Sequence, residues 1–193
     1  MEIIHYPHPT LRYKSKPIKR VDANLRQMVE EMFDLMYEHK GVGLAANQVD
    51  LPLRLFVVNE TADPDQRDQE HVFINPIISR PKGNEEAQEG CLSLPEVYAD
   101  VKRPAEFHFS AYNLKGEKIE GQFDGFFGRI LQHETDHLDG IMFIDKVMPN
   151  DLVEIEHEIE EFEVDFKSKR DVNAIPSDEE IAQRLSEIEA TYC

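Results

Sequence analysis

The 193-residue sequence contains no tryptophan and only two cysteines, Cys91 and Cys193. Because Cys193 is the last residue, we expect no structural disulfide, and this cysteine content is typical of a reducing compartment. Residues 1–5 lack the basic and apolar segments of a secretion signal, so we expect a cytoplasmic protein. Cys91 is an interior thiol without a partner, and it is therefore free for metal binding or catalysis.

Basic residues are also scarce, with 21 Lys and Arg against 39 Asp and Glu, and the net charge is -18. Non-specific nucleic-acid binding needs a basic surface, so no DNA partner is expected. No apolar run approaches the roughly 20 residues of a membrane span, and we expect no membrane association. The length and the 40% hydrophobic content are those of a globular protein with a substantial core.

Residues 1–148 combine two helical patterns with several strand patterns. Asp22 is a candidate N-cap for a helix whose apolar residues recur every three or four positions and which stops near Gly41. A second helix is predicted from Gly125 or Phe126 to Leu138. Four strands are predicted, at residues 53–59, 72–79, 105–113 and 117–123. Pro76 marks the second strand as an edge or bulged strand, and residues 81–87 are predicted to form a turn.

The composition changes after residue 150. Residues 151–193 hold 14 acidic and 4 basic residues, which together contribute -10 of the net charge. An apolar seam between Leu152 and Phe166 predicts one amphipathic helix, and a Ser177–Glu180 capping box predicts the start of another. Residues 167–176 are interpreted as a linker. We therefore divide the chain into a catalytic domain, 1–148, and an acidic helical extension, 149–193, that docks on the domain or binds a partner.

The most informative motif is His-Glu-x-x-His within residues 132–138, which read QHETDHL. On a helix, His133 and His137 share one face and can bind one divalent metal ion. Glu134 can reach a water on that ion and move its protons. Two imidazoles do not complete a site, and Cys91 is the natural candidate for the third ligand. The alternative is a zinc endopeptidase, in which a downstream residue such as Asp145 or His157 would be the third ligand.

Three sequence blocks, in order, resemble peptide deformylase, the enzyme that removes the formyl group from the N-terminal methionine of new bacterial proteins. They are residues 41–48 (GVGLAANQ), 89–93 (EGCLS) and 132–138. Residues 6–12 (YPHPTLR) also resemble the start of that family, and the likeness runs from about residue 3 to 148. It implies an α+β fold with antiparallel β-sheets around a central metal-binding helix. The residue patterns add the N-terminal amphipathic helix and the C-terminal helical extension, and the resemblance does not cover that extension.

The resemblance also assigns the chemistry of the site. The implied metal ligands are Cys91, His133 and His137. The implied metal is Fe2+, with Zn2+, Ni2+ or Co2+ as substitutes, whereas thiolate and imidazole by themselves would favour zinc. Glu134 would accept the water proton and pass it to the leaving amine. The side-chain amide of Gln48 and the backbone N–H of Leu92 would stabilise the oxyanion.

The family implies that the substrate lies as an extended strand beside Val42 and Gly43 and the segment before Cys91. The residues expected to bind it are Val42, Gly43, Ala87, Gly90, Phe126 and Ile130. Arg103 and Glu89 are expected to pair and steady the ligands. Tyr98 stands where some members carry a basic residue. The expected partners are N-formylmethionyl nascent peptides and, transiently, the ribosome. A non-catalytic binding protein on the same scaffold is the remaining alternative.

Overall fold

The computed structural model describes residues 1–193, which form seven strands and five helices. The strands are β1 (Gly43–Ala45), β2 (Leu55–Val58), β3 (His71–Lys82), β4 (Glu85–Cys91), β5 (Leu94–Arg103), β6 (Glu106–Tyr112) and β7 (Lys118–Asp124). The helices are α1 (Ala23–Glu38), α2 (Gly125–Leu138), α3 (Pro149–Leu152), α4 (Glu156–Asp171) and α5 (Asp178–Tyr192). None of these helices is both long enough and apolar enough to cross a membrane.

The strands form two antiparallel sheets around α2, which confirms the predicted fold class. Five strands pair in the order β1-β2-β3-β6-β7, and β4 pairs with β5 in a separate hairpin. Helix α2 lies against the larger sheet and buries Ile130, Leu131 and Leu138 among the aromatic side chains of that sheet. Phe56 and Phe73 have ring centroids 5.3 Å apart in this layer. The metal-binding motif therefore lies on a helix that is fixed by a packed aromatic layer.

Helix α1 follows its sequence pattern closely. The Asp22 side chain accepts a hydrogen bond of 3.0 Å from the Leu25 backbone N–H, which satisfies one of the free donors at the helix start. The buried face contains Leu25, Val29, Met32, Phe33, Leu35 and Met36. Because the helix ends at Glu38, the chain then leads through Gly41 directly into β1 at the centre of the molecule.

The structure decides between the two alternatives for one strand and corrects two other local predictions. Strand β3 is not an edge strand, since it lies between β2 and β6, but its register does shift beside Pro76 as a bulge requires. The predicted turn at 81–87 is shorter, because β4 already begins at Glu85 and forms the unpredicted β4–β5 hairpin. The predicted linker at 167–176 is also too long, since α4 continues to Asp171.

Both long helices of the C-terminal segment contact the rest of the chain. Ile155, Ile159 and Phe162 pack on the apolar cluster that contains Leu94 and Val97 of β5. Helix α5 starts at the predicted capping box, in which the Glu180 backbone N–H donates to Ser177 Oγ at 3.2 Å. Its buried residues are Ile181, Leu185, Glu189 and Tyr192. The docking of these helices on the body is therefore observed.

We predict that Leu185→Ala destabilises the protein by about 2–5 kcal/mol, because it empties a packed site on the inner face of α5. Val164→Ala is the matched control, since Val164 is exposed on α4 and its truncation should change stability by less than about 0.5 kcal/mol. The free energy of unfolding in urea measures both. Equal effects of the two variants would show that α5 is not docked in solution.

Candidate metal centre and active site

Three side chains from two elements converge on one point. Helix α2 presents His133 and His137 one turn apart, and Cys91 ends strand β4 beside them. The Nε2 atoms of the two histidines lie 3.2 Å apart, and Cys91 Sγ lies 3.3 Å from His137 Nε2. The potential ligand atoms of these three residues all lie within 4.8 Å of one another. No other cluster of this kind exists in the structure.

These donors fit a divalent transition metal. Bonds of about 2.0–2.3 Å to thiolate and imidazole, set at tetrahedral angles, place ligand atoms roughly 3.3–3.8 Å apart. The two spacings given above, 3.2 and 3.3 Å, lie just below and at the lower limit of that range. One thiolate and two imidazoles also leave a fourth position for water or substrate, which is the arrangement of catalytic rather than structural sites. The residues present therefore suit a catalytic metal ion.

A buried carboxylate orients the first histidine. Glu89 Oε2 lies 2.9 Å from His133 Nδ1, which leaves Nε2 of that ring facing the ligand cluster. Arg103 binds both oxygens of Glu89, at 2.5 and 2.8 Å, and is itself only 1% exposed. Burial opposes ionisation of Glu89, but the hydrogen bonds from Arg103 and His133 outweigh it and hold the carboxyl pKa well below its usual range. The expected Arg103–Glu89 pair is thus present in the structure.

Sequence reasoning missed the other members of this charged cluster. Arg129 Nη1 donates a hydrogen bond to Glu89 at 2.7 Å. The Asp136 carboxylate forms ion pairs with Arg103 Nη1 and Lys146 Nζ, each at 2.6 Å. Arg129 lies four residues before His133 on α2, so its position on the same helix face was a usable signal. No signal in the sequence linked Lys146 to Asp136, since that contact depends on how the chain returns after α2.

Glu134 is buried beside the ligands and faces β1. It is 4% exposed, and its Oε2 atom has no hydrogen-bond partner. Burial raises the pKa of its carboxyl to about 7. A Cβ atom at Gly43 would lie 2.5 Å from Glu134 Oε1, so only glycine permits this close approach. A carboxylate with one free oxygen and a pKa near neutrality can both accept and return a proton.

Gln48 lies beside Cys91, in the 3₁₀ turn Ala46–Val49. Its Oε1 accepts a hydrogen bond of 2.8 Å from the Ala45 backbone N–H, which turns its amide nitrogen toward the site. That nitrogen lies 3.3 Å from Cys91 Sγ and 3.4 Å from Ser93 Oγ. Leu92 follows Cys91 directly and lines the same cavity. Asn47 precedes Gln48 in this turn. Its side chain, in contrast, makes hydrogen bonds only to residues near the N-terminus: Thr10, Tyr13 and Ser15.

A cavity of about 520 Å³ opens onto these groups. Five of the six predicted substrate contacts line it: Val42, Gly43, Gly90, Phe126 and Ile130. Ala87 does not, because it precedes Cys91 by four residues of extended strand, about 13 Å along the chain, and pairs with Val101 in the hairpin. The structure thus provides no contact for Ala87 in the cavity. Tyr98 lies at the rim, where its ring covers Gly90 and remains 57% exposed.

The downstream ligands of the endopeptidase alternative lie elsewhere. Asp145 forms an ion pair with Arg12 and accepts the Met142 backbone N–H at 2.8 Å. The His157 side chain is 81% exposed on α4, close to Glu161. Neither residue belongs to the ligand cluster, so the structure does not support this alternative.

Comparison with known proteins agrees with the geometry. A family model described as polypeptide deformylase matches residues 1–152. The chain belongs to the polypeptide deformylase family. A peptide deformylase of Rhodopirellula baltica is 52% identical over 192 residues, which cover 100% of this chain and 95% of that protein. The family resemblance read from the three blocks is confirmed, and with it the assignment as an amidohydrolase that acts on formylmethionyl peptides.

Solved structures of deformylases show the same fold. A crystal structure of a Plasmodium falciparum peptide deformylase has 38% identity and a TM-score of 0.84, covering 86% of this chain and 98% of that one. A crystal structure of Arabidopsis thaliana peptide deformylase 1B with an inhibitor has 38% identity and a TM-score of 0.83, covering 92% and 97%. The α+β architecture around the metal-binding helix is thus common to these deformylases.

We predict that Arg103→Met destabilises this deformylase by about 3–5 kcal/mol, because it leaves the buried Glu89 carboxylate without its main partner. The same change should weaken metal binding on the order of 10- to 100-fold through the lost orientation of His133. Lys102→Met on the exposed face of the same strand is the control. Chemical denaturation and metal titration measure the two effects, and near-native values for both would contradict the proposed role of the ion pair.

Proposed function

We propose that this chain hydrolyses the formamide bond of N-formylmethionyl peptides, with Cys91, His133 and His137 as the metal ligands. The observation that carries the proposal is the convergence of these three donors beside one cavity with the buried carboxylate of Glu134, whose Oε2 atom has no hydrogen-bond partner. We also propose that residues 1–148 are the catalytic domain and 149–193 an extension. This division is supported by the family model, which stops at residue 152.

The proposed metal is Fe2+, an assignment that rests on the family resemblance and not on the donor set. Zn2+, Ni2+ or Co2+ should be able to replace it, because one thiolate and two imidazoles also suit these ions. When bound, the ion acts as a Lewis acid that lowers the pKa of water. The chain holds two of the three ligands from outside the cluster, through Glu89 on His133 and through Gln48 and the Ser93 backbone N–H on Cys91.

Glu134 is the proposed proton shuttle. Its carboxylate takes a proton as water adds to the formyl carbon, and it gives that proton to the methionine nitrogen as the C–N bond breaks. The products are formate and a free N-terminal amine. The raised pKa of Glu134, about 7, suits a group that must accept and then donate a proton near neutrality. Gly43 leaves room for this carboxylate beside the substrate path.

Gln48 and Leu92 are the proposed oxyanion donors. The amide nitrogen of Gln48 is aimed at Cys91 Sγ by the hydrogen bond that its oxygen accepts from Ala45. It therefore needs no rearrangement to meet negative charge that develops next to the ligands. The backbone N–H of Leu92, adjacent to Cys91, is the second proposed donor.

The proposed substrate pose is an extended strand between two free sheet edges. Strand β1 is the terminal strand of the five-stranded sheet, and β4 pairs only with β5. Gly43 and Gly90 line the cavity, one on each edge. Because they have no side chains, a peptide can approach the backbone of both edges and pair with it. Phe126 and Ile130 offer apolar surface for the methionine side chain. The role of Ala87 remains a prediction.

We further propose that the protein acts in the cytoplasm on nascent peptides. Support comes from its two free cysteines and from its bacterial relatives. Encounters with the ribosome should be brief, because a net charge of -18 repels RNA.

Glu134→Ala should abolish formate release from formyl-Met-Ala-Ser while the metal content stays at the wild-type level, because the variant loses the proton shuttle but no ligand. Formate production and metal analysis on the same anaerobic, iron-loaded preparation measure both. Wild-type turnover in this variant would remove Glu134 from the mechanism.

Cys91→Ser should lower metal affinity by several orders of magnitude, since a neutral hydroxyl replaces the thiolate ligand. Cys193→Ser is the matched control because its thiol lies at the C-terminus, where it contacts the Lys16 carbonyl. Competition with a chromogenic chelator measures the affinity. Unchanged affinity in Cys91→Ser would reject the three-ligand site and reopen the endopeptidase alternative.

A further inference from the structure

The turn that carries Gln48 lies between two parts of the chain that are remote in sequence. One is the N-terminal arm, which we define as residues 1–20, and the other is helix α5. The turn spans Ala46–Val49 and ends at Asp50, whose φ of 63° is left-handed. The arm binds Gln48 directly, since the Ile4 backbone N–H donates to the Gln48 carbonyl at 2.9 Å. The position of the Gln48 amide therefore depends on what holds the arm and Asp50.

Helix α5 holds the end of the turn through Asp50. Arg184 of α5 forms an ion pair with Asp50 Oδ2, and Thr10 of the arm donates to Asp50 Oδ1. A left-handed φ is sterically unfavourable for residues other than glycine, although aspartate tolerates it better than most. Two side-chain contacts on a single carboxylate keep this residue, and hence the turn, in its observed conformation.

Helix α5 also holds the start of the turn, through the arm. Glu189 of α5 is only 6% exposed, and it accepts hydrogen bonds from Tyr13 at 2.8 Å and Lys16 at 2.7 Å. The carbonyl of Tyr13 in turn accepts a 2.7 Å hydrogen bond from Asn47, the residue next to Gln48. Ser15 donates to the Asn47 side-chain oxygen at 2.8 Å. The arm thus connects the α5 carboxylate to the residue before Gln48.

We propose that α5 is a brace that positions the catalytic Gln48, with Arg184 and Glu189 as positioning residues. The inference rests on the oxyanion role proposed above for Gln48. It assigns a catalytic consequence to a helix that lies entirely outside residues 1–152, the part matched by the family model. Neither Arg184 nor Glu189 lines the cavity, so both act only through the turn.

The brace has a specific kinetic signature. An oxyanion donor acts on the transition state and not on the bound ground state, so a displaced Gln48 amide lowers kcat and leaves KM nearly unchanged. A helix that only stabilises the fold would change the melting temperature and leave kcat per folded, metal-loaded molecule the same. The two roles are therefore separable by measurement.

The experiment is a double-mutant cycle on the full chain with formyl-Met-Ala-Ser as substrate. Arg184→Met and Glu189→Gln are made in the wild type and in Gln48→Ala, and activity is expressed per bound iron. Arg184→Lys is the conservative rescue. Glu187→Gln is the control, because Glu187 is exposed on the same helix and its carboxylate contacts only Gln183. Hydrogen exchange of the peptide covering residues 44–51 is followed in the metal-free proteins.

We expect Arg184→Met and Glu189→Gln each to lower kcat about 5- to 10-fold in the wild type and less than about 2-fold in Gln48→Ala, where the donor is already gone. Exchange in residues 44–51 should become faster in both variants. The Lys variant should recover most of the activity, and Glu187→Gln should behave as wild type.

Two different failures are distinguishable. If Gln48→Ala keeps wild-type kcat, the oxyanion role of Gln48 is wrong and the kinetic effect of the brace is wrong with it. If Gln48→Ala loses activity but the α5 variants have the same effect in both backgrounds, or no effect with unchanged exchange, then Gln48 is catalytic and the brace is wrong. Should Arg184→Met fold poorly, the near-isosteric Glu189→Gln alone decides between these outcomes.

Discussion

The buried ion pair between Arg103 and Glu89 fixes the position of the β4–β5 hairpin, which carries Cys91, relative to helix α2, which carries the two histidines. Both residues lie on the β4–β5 hairpin and both reach α2, since Glu89 binds His133 and Arg103 binds Asp136. Cys91 follows Glu89 by two residues on the same strand. The contact between Glu89 and His133 therefore sets the position of the thiol relative to the imidazoles. A carboxylate on the far nitrogen of a ligating histidine also sets its tautomer and ring orientation.

The charged residues of this cluster orient the metal ligands in a way that an apolar cluster could not. Removing charges from water costs roughly several kcal/mol per ion, and an apolar cluster of similar volume is often as stable. Here three cations, Arg103, Arg129 and Lys146, surround the carboxylates of Glu89 and Asp136. Apolar side chains could pack α2 against the hairpin, but they could not aim an imidazole nitrogen. The directional hydrogen bonds of the cluster can do so.

The elements that the sequence predicts have local signals, whereas the missed hairpin depends on contacts between residues that are distant in the chain. Helix α1 and the Ser177 capping box were predicted because their signals are local in the chain. The β4–β5 hairpin was missed although β5 alternates buried and exposed residues from Val97 to Arg103. The polar residues of β4 have low strand propensity, and a charged Arg103 at an inward position hid the alternation. The arginine is buried only because Glu89 and Asp136 meet it there.

By itself, the sequence determined the chemistry that depends on residue type and short spacing. The four-residue interval between His133 and His137 places two imidazoles on one helix face, and the three ordered blocks specify the enzyme family. Only the tertiary structure decided how the side chains that carry this chemistry are positioned. It brings Cys91 to the histidines, buries Glu134 with its Oε2 atom free of hydrogen bonds, and places α5 against the arm and Asp50. Such contacts join residues far apart in the chain, so they depend on strand pairing and helix docking, which local patterns do not encode.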